Sequence, residues 1–562
     1  MPMPMTAAQP RRGAWLGHWS RWLAAAARRH WLLSLLLLAG LVMRILVQIA
    51  YRPALFYIDT IKYLYGAYPG NDPPGYQLFL KAFLAAGNLD MIAAVQHLLG
   101  LGMAVALYAL LLRRGAPRWL AALAMAPVLL DAYQLQLEQT VMPDILFEAL
   151  MVAGIVVLLW RNRPGLWALV VAGLLLGATA PMWEPGGILI LPAVVYAALM
   201  AAGWRARVGH AVLIAVAFAI PIVAVSFRNE LVLHRFSLAP SAGSTIYGRM
   251  AVAADCATLK LPAYERPLCI PHAEAVKWGP DNLDHASYSP LKHITLPPGM
   301  AEHAVATDFS KRVVEQQPLR VAGSILSDAM KLFEVHRVQS PGDSPIWRWQ
   351  FQTHIPTYVP YVTVQHGLLQ FAYLNEFGQA MPLGNGLNFG GGPPKVIKPI
   401  AHFLRTYQLG GGYTPGPLLA FTLITGLIGS AVLLLRRKYL TERDWQAARA
   451  CCYILASGVV LLLVSDAFEF SWRYQLPAVV TLPPAGALGI TVIIGLFRRR
   501  PAVPGAGPVS ATAPAAVSAP AAGGAVASAN GSARTPAGDG AGEDAPGQAG
   551  EGVGVPEQKP GR

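Results

Sequence analysis

The sequence predicts an all-α polytopic membrane protein of about ten transmembrane helices, with a mixed extracytoplasmic region between the seventh and eighth. Three observations predict it. Hydrophobic residues make up 54% of the chain against 13% charged, and the mean hydropathy is +0.42, which excludes a soluble globular protein. Apolar runs of near-spanning length recur at about 31–50, 91–112, 117–133, 143–160, 165–181, 186–203, 208–225, 417–435, 450–465 and 474–497. Between the seventh and eighth runs lies Phe227–Gly416, rich in Pro and Gly clusters and carrying Trp347, Trp349 and many tyrosines.

Residues 1–30 are basic and polar. No small-residue cleavage site follows the first apolar run, which therefore reads as a retained helix and not a removed signal peptide. Residues 31–225 carry the first seven spans, with a first outer loop at 51–90, and residues 417–497 carry the last three. If the N-terminus is inside, the inner segments hold twenty Arg and Lys residues, from Arg11 to Arg500. The short outer segments hold only Arg52, Lys62, Lys81 and Arg473. This sorting predicts that both termini are cytoplasmic, and it accounts for most of the net charge of +14 without nucleic-acid binding.

The region 226–416 is expected to be extracytoplasmic. Within it, Phe309–Phe333 shows helical spacing of apolar residues around Pro318, which predicts two amphipathic helices resting on the membrane face. Cys256 and Cys269 lie where oxidation is allowed, as a local disulfide or as free thiols, whereas Cys451 and Cys452 fall in the ninth run and read as packing residues. Residues 498–562 are mostly Ala, Gly, Pro, Ser and Val, a composition too poor in bulky apolar groups to offset ordering entropy, so a disordered cytoplasmic tail is expected.

No Walker loop, GxSxG elbow, HExxH or paired CxxC occurs, so any chemistry falls to acids and bases near the outer interface. The most informative stretch is Phe56–Tyr76, FYIDTIKYLYGAYPGNDPPGY, where Asp59 is followed by Lys62, Tyr63, Tyr65, Asp72 and Pro73–Pro74–Gly75. Asp59 has two readings: the cap of a short helix with Ile61, Leu64, Tyr65 and Tyr68 on its apolar face, or a general base at the membrane surface. A second set is Glu138, Asp144 and Glu148 in LEQTVMPDILFE. Asp144 suits the first turn of a helix after Pro143, while Glu148 lies deeper, where an acid needs a partner. A second carboxylate near Asp59 would bind a divalent cation, orient an acceptor or raise the pKa of the base.

The third set is cationic: Arg44, Lys62, Arg228 and Arg473. Individually, Arg44 could snorkel and Arg473 could pair with Glu469. Together they suggest a site that grips an anionic lipid phosphate by charge-assisted hydrogen bonds. His97 reads as a satisfied helix residue, with a catalytic role as the weaker alternative.

Arg44 in the first span, Asp59 and Tyr63 in the first outer loop, PPGY at Pro73–Tyr76, EQTVMPDILFE before the fourth span and RYQLP at Arg473–Pro477 occur in an order that resembles the GT-C superfamily. More narrowly, the chain resembles bacterial phospholipid-carrier-dependent glycosyltransferases, relatives of the protein O-mannosyltransferases and the lipid A aminoarabinose transferase. The likeness covers about residues 30–230 and 417–497. Two adjacent acids are common in the family's first outer loop, whereas Asp59 is followed by Thr60, and Asp144 stands where Glu is frequent.

The resemblance implies an inverting transfer of a sugar from a polyprenyl-phosphate donor to a hydroxyl of a lipid, glycan or protein outside the bacterial cytoplasmic membrane. It assigns Asp59 as base, with Asp144 or Glu138 assisting. Arg44, Lys62, Arg228 or Arg473 would balance the phosphate, and Tyr63, Tyr65, Tyr76 and Tyr474 would line the substrate site. It leaves the need for a divalent cation open. Two rival readings are a transporter or flippase of lipid-linked sugar and a polysaccharide polymerase or ligase with a diphosphate-linked donor. Against the transporter, the acids cluster outside and the two halves of the chain do not match.

Overall fold

The computed structural model describes residues 24–65, 70–84, 89–240, 246–354, 395–435 and 440–498, with the strands Val362–Gln365, Leu368–Leu374 and Ala380–Pro382. The architecture is mostly helical. Six helices are long and apolar enough to cross a membrane: Trp31–Ala50, Leu89–Arg113, Trp204–Leu233, Gly416–Leu434, Glu442–Asp466 and Leu476–Phe497. Each falls on an apolar run of the sequence.

The other four runs also form helices, but shorter ones, so the expected count of about ten is not reached by length. Asp144–Leu159 has 16 residues and Leu166–Gly177 has 12, below the roughly 20 that span a hydrocarbon core unaided. Glu184–Met200 is a further short apolar helix. The run at 117–133 becomes Arg118–Leu130 and Ala132–Gln139, bent by 49°. Asp131 explains the bend: its carboxylate caps the second piece by accepting from Tyr133 N at 2.9 Å, and it also accepts from Thr414 N and Arg337. Counted as one span, the bent pair would be a seventh.

Apolar residues cover the outside of these helices. On Trp204–Leu233, Trp204, Val208, Val212, Val216, Ile220, Phe227 and Leu231 form an exposed stripe at mostly i, i+4 spacing, a surface suited to lipid and not to water. Small residues bring Gly416–Leu434 and Leu476–Phe497 together: a Cβ on Gly429 would collide with the Gly489 backbone, and one on Gly486 with Thr422. The last helix, Leu476–Phe497, is accordingly buried along most of its length.

The basic loops gather at one end of the bundle. Arg114 bonds Asn162 and the Arg161 carbonyl, and Arg443 bonds the Gly115 carbonyl. Residues 50–59, 140–144, 178–184 and 467–475 lie at the opposite ends of the same helices.

Residues 247–321 contribute a separate apolar core around Tyr247, Phe309 and Val313. Cys256 and Cys269 form a disulfide there, while Cys451 is free and buried and Cys452 free and partly buried. The pattern around Pro318 resolves into two helices, Glu302–Gln316 and Pro318–Lys331. Tyr51–Arg52 pairs antiparallel with Lys395–Val396, and the three strands at 362–382 form an antiparallel sheet. The expectations for residues 1–23 and 499–562 lie outside the described residues.

Candidate functional site

Two chain segments far apart in sequence are laced together at one end of the bundle. Leu55 N donates to Gln139 O at 2.9 Å and Val141 N to Leu55 O at 3.0 Å, forming a short parallel bridge. Thr60 secures the next turn, accepting from Tyr57 N and donating to Val141 O. Asp59, before the short helix Thr60–Tyr65, and Asp144, first in the helix Asp144–Leu159, are thereby held close together.

Two further segments close the site. Gly75 N donates to Pro181 O at 2.9 Å, an approach so tight that a Cβ at Gly75 would overlap that carbonyl, and Gln77 then donates to Lys62 O at 2.7 Å. From the other side, the turn before Leu476–Phe497 is tied down by Ser344 N to Phe470 O and by Trp472 Nε1 to Val338 O. That turn carries Arg473.

The charged groups alternate. Lys62 Nζ lies 3.0 Å from Asp72 Oδ2 and 2.9 Å from Asp59 Oδ1; Arg473 Nη1 lies 3.7 Å from Asp59 Oδ2 and Arg473 Nε 2.6 Å from Asp144 Oδ1. Side-chain exposure rises along the row, from 5% at Arg473 and 13% at Asp144 to 23% at Asp59 and Lys62 and 32% at Asp72. The Arg473–Asp144 pair is thus a fixed base, and the Asp59–Lys62–Asp72 end is the less buried part of the row.

Burial pushes the Asp59 carboxyl up, but the Lys62 ammonium and Arg473 guanidinium outweigh it and hold it below the ordinary carboxylate range. For Lys62, burial acts downward and is overcome by Asp59 and Asp72, so the ammonium stays charged well beyond its usual range. Asp59 and Lys62 are therefore both ionised at neutral pH.

Aromatic rings frame this row. The Arg473 guanidinium lies 5.2 Å from the Tyr474 ring centre and 5.5 Å from that of Trp349. Trp183 stacks on Tyr474 at 5.0 Å, Tyr57 packs against Trp349 at 4.6 Å, and Tyr63 meets Tyr76 edge-on at 5.3 Å. Tyr76 is fully buried and donates to Gln96 Oε1, so it supports the wall from behind.

Sequence reasoning assigned no role to Trp183, Trp349, Tyr57, Arg348 or His285. Arg348 donates to Tyr57 OH at 3.2 Å and lies 3.8 Å from Asp281, which in turn sits 3.3 Å from His285 Nδ1. The hydrogen bond to Asp281 raises the His285 pKa to about 9, and burial, with Asp281 nearby, raises that of Glu469 to about 8. The one available signal was the pair Trp347 and Trp349, two large rings in a polar region.

Of the eleven residues singled out, Asp59, Asp144, Lys62, Arg473, Tyr63, Tyr76 and Tyr474 form or back this site. Arg44 and Glu138 do not join it; they form a separate buried cluster. Arg44 Nη2 lies 2.6 Å from Glu138 Oε1, the same guanidinium donates to the carbonyls of Gly40, Val128 and Leu129, and His97 bonds the other Glu138 oxygen at 2.8 Å. Both groups are almost wholly buried and mutually neutralised, and each is the other's partner. Arg228 bonds its neighbour Asn229 on the lipid-facing helix. Glu148 finds its partner in Gln134 at 2.6 Å, and Arg473 pairs with Asp144, not Glu469. The Tyr65 side chain lies outside the described residues.

Among the described residues, no group of three or more His, Cys, Asp or Glu is arranged to hold a metal ion. The donor set gives the reason: the position between Asp59 and Asp144 is filled by a guanidinium and that between Asp59 and Asp72 by an ammonium. A divalent cation does not fit these carboxylates as they stand.

No family model matches the chain, and no curated protein matches it. Among solved structures, the archaeal oligosaccharyltransferase AglB from Archaeoglobus fulgidus, in complex with an inhibitory peptide and a dolichol-phosphate, is similar at a TM-score of 0.39 and 12% identity. The similarity covers 84% of this chain and 52% of that one, so the chain spans about half the length of that protein.

Proposed function

We propose that this chain is a membrane glycosyltransferase of the GT-C kind, moving a sugar from a polyprenyl-phosphate donor to an acceptor hydroxyl. Its active site would lie on the extracytoplasmic face of a bacterial cytoplasmic membrane, with both termini inside. The observation that carries this reading is the row Asp72, Lys62, Asp59, Arg473, Asp144 at one end of an apolar helix bundle, flanked by Trp183, Tyr474 and Trp349.

In an inverting displacement, the acceptor oxygen bonds to the anomeric carbon from the face opposite the phosphate, and the bond from that carbon to the phosphate oxygen breaks. The hydroxyl proton passes to the Asp59 carboxylate, and the electron pair leaves with the lipid phosphate, whose charge grows from −1 to −2. Lys62 and Arg473 stabilise that growing charge. Asp144 holds Arg473 in place through its Nε. The partly exposed rings of Trp183 and Tyr474 suit packing against a sugar ring, while the buried Trp349 backs the Arg473 guanidinium.

One feature of the electrostatics favours the order of events. Without a ligand, the two cations keep Asp59 a weak base. A donor phosphate that engages Lys62 and Arg473 shares their charge, raising the proton affinity of Asp59 once the substrate is in place.

The test uses the purified full-length chain in detergent with a polyprenyl-phosphate sugar and a mixture of lipid, glycan and peptide acceptors. Asp59→Asn should abolish transfer while leaving expression and membrane insertion close to wild type. Full transfer by that variant would remove Asp59 from the mechanism and this reading with it.

A further inference from the structure

The helix Pro318–Lys331 buries Val321 and Ala329 against the core and carries beside them a polar stripe, partly buried to exposed, that borders a cavity. Arg320, Ser324, Ser327, Asp328 and Lys331, spaced close to i, i+4, i+7, i+8 and i+11, all line one cavity of about 500 Å³, while Leu319 on the opposite face is 86% exposed and Leu326 and Met330 are also exposed. A polar stripe turned toward a hollow of this size, within the usual range for ligand pockets, points to a polar occupant.

The charges in the wall indicate its sign. Asp328 is engaged by Arg249 at 2.5 Å and Lys331 at 2.7 Å, and Asp343 by Lys331 at 2.6 Å, so both carboxylates are neutralised within the wall. Three cations against two acids leave one positive charge in surplus. Arg320 donates from Nε to the Ala253 carbonyl, and its two terminal nitrogens have no partner among the described residues. Arg249, a residue of the cavity wall, is 2% exposed, and its buried Nε makes no hydrogen bond among the described residues. An unpartnered buried guanidinium N–H is costly unless a ligand acceptor meets it.

The cavity adjoins the candidate site. Its wall includes Gly279, Pro280 and Phe470, and the chain runs from these directly into Asp281, Glu469 and Arg473.

We propose that this cavity binds an anionic saccharide, one or two sugar units bearing a phosphate or carboxylate, and that, on the reading of the chain as a glycosyltransferase, it holds part of the acceptor. Arg320, with the buried Arg249 charge behind it, engages the oxyanion, and the Ser324 and Ser327 hydroxyls engage sugar hydroxyls.

Isothermal titration of the full-length protein in detergent tests this with glucose 6-phosphate, glucuronate, neutral glucose and inorganic phosphate. Saturable binding of glucose 6-phosphate or glucuronate is expected, the better of the two identifying the anion, with neutral glucose and inorganic phosphate each at least about tenfold weaker, as loss of a charge-assisted or several neutral hydrogen bonds implies. Arg320→Glu, at an exposed position, should weaken the better probe at least about tenfold. Ser327→Trp should block it by filling the hollow, and Asp59→Asn should leave it unchanged. No saturable binding of either anionic sugar, equal binding of neutral glucose or of inorganic phosphate, or binding that survives both cavity variants overturns the proposal. Binding that behaves as expected in a protein that transfers no sugar from the polyprenyl-phosphate donor retains the site and removes the transferase reading instead.

Discussion

Arg473 is the residue whose removal tests the site most directly, because it joins Asp59 from the first outer loop to Asp144 at the start of a later helix. Its side chain is nearly buried, and Arg473→Met preserves much of its volume while deleting the charge. The gross attraction between unit charges about 4 Å apart is about 4 kcal/mol at an effective dielectric constant of 20. Desolvation of the pair offsets part of this. Asp59 retains Lys62, so the loss falls mainly on Asp144, whose other oxygen has no partner. Leaving that carboxylate mostly buried and unpaired should cost about 2–3 kcal/mol of stability, and a cycle with Asp144→Asn should recover about 2 kcal/mol as coupling. Denaturant unfolding in detergent, followed by tryptophan fluorescence, measures the four proteins, with Trp349 beside the substituted side chain as a local reporter. The same single variant should slow transfer by about 10²- to 10³-fold, the usual effect of removing one preorganised stabilising group. Coupling below about 0.5 kcal/mol would show that the 2.6 Å contact carries no net energy and would refute the argument for a fixed cationic base.

Arg44→Leu and Glu138→Gln each strand a buried charged or polar partner, so each should destabilise the protein by about 3–5 kcal/mol, seen as loss of folded material on size-exclusion chromatography. A variant of either that stays fully folded but loses only turnover would return it to the active site. Gly75→Val forces a side chain into the Pro181 carbonyl, and overpacking of this kind should cost about 1–3 kcal/mol and lower transfer by displacing Gln77 and, through it, Lys62; wild-type behaviour would show that the approach is not needed. His285 titrates at about 9 in the folded chain against 6.5 ordinarily, so the folded state binds the extra proton across that window. Its contribution to stability is complete below about 6.5 and is lost as pH rises toward 9. Because its side chain is more than half exposed, the effect should be small, and His285→Gln should flatten the melting-temperature profile in that range; an unchanged slope would exclude His285 as its source.

Much of the organisation was legible in the residues. All ten apolar runs are helical, the break at Pro318 separates two helices, and four charged residues chosen for type and position, Asp59, Lys62, Asp144 and Arg473, meet within hydrogen-bond or ion-pair distance. Other features were not legible, for identifiable reasons. Arg44 and Glu138 were each plausible beside Asp59, but nothing within either segment shows that partners 94 positions apart neutralise one another inside the bundle. The run at 117–133 looked continuous because Asp131 bends it through bonds to Arg337 and Thr414, which come from far along the chain.

By itself, the sequence determined the membrane-embedded helical class and the residue types available for chemistry. These follow from hydropathy and from a 3.6-residue period, free energies set over stretches of about 20 neighbours. Only the tertiary structure decided which charges pair, which aromatic rings frame them and how many helices are long enough to cross a bilayer. Pairing depends on packing between segments hundreds of residues apart: Arg473 reaches Asp144 across 329 positions, through turns and close backbone contacts that no local pattern encodes.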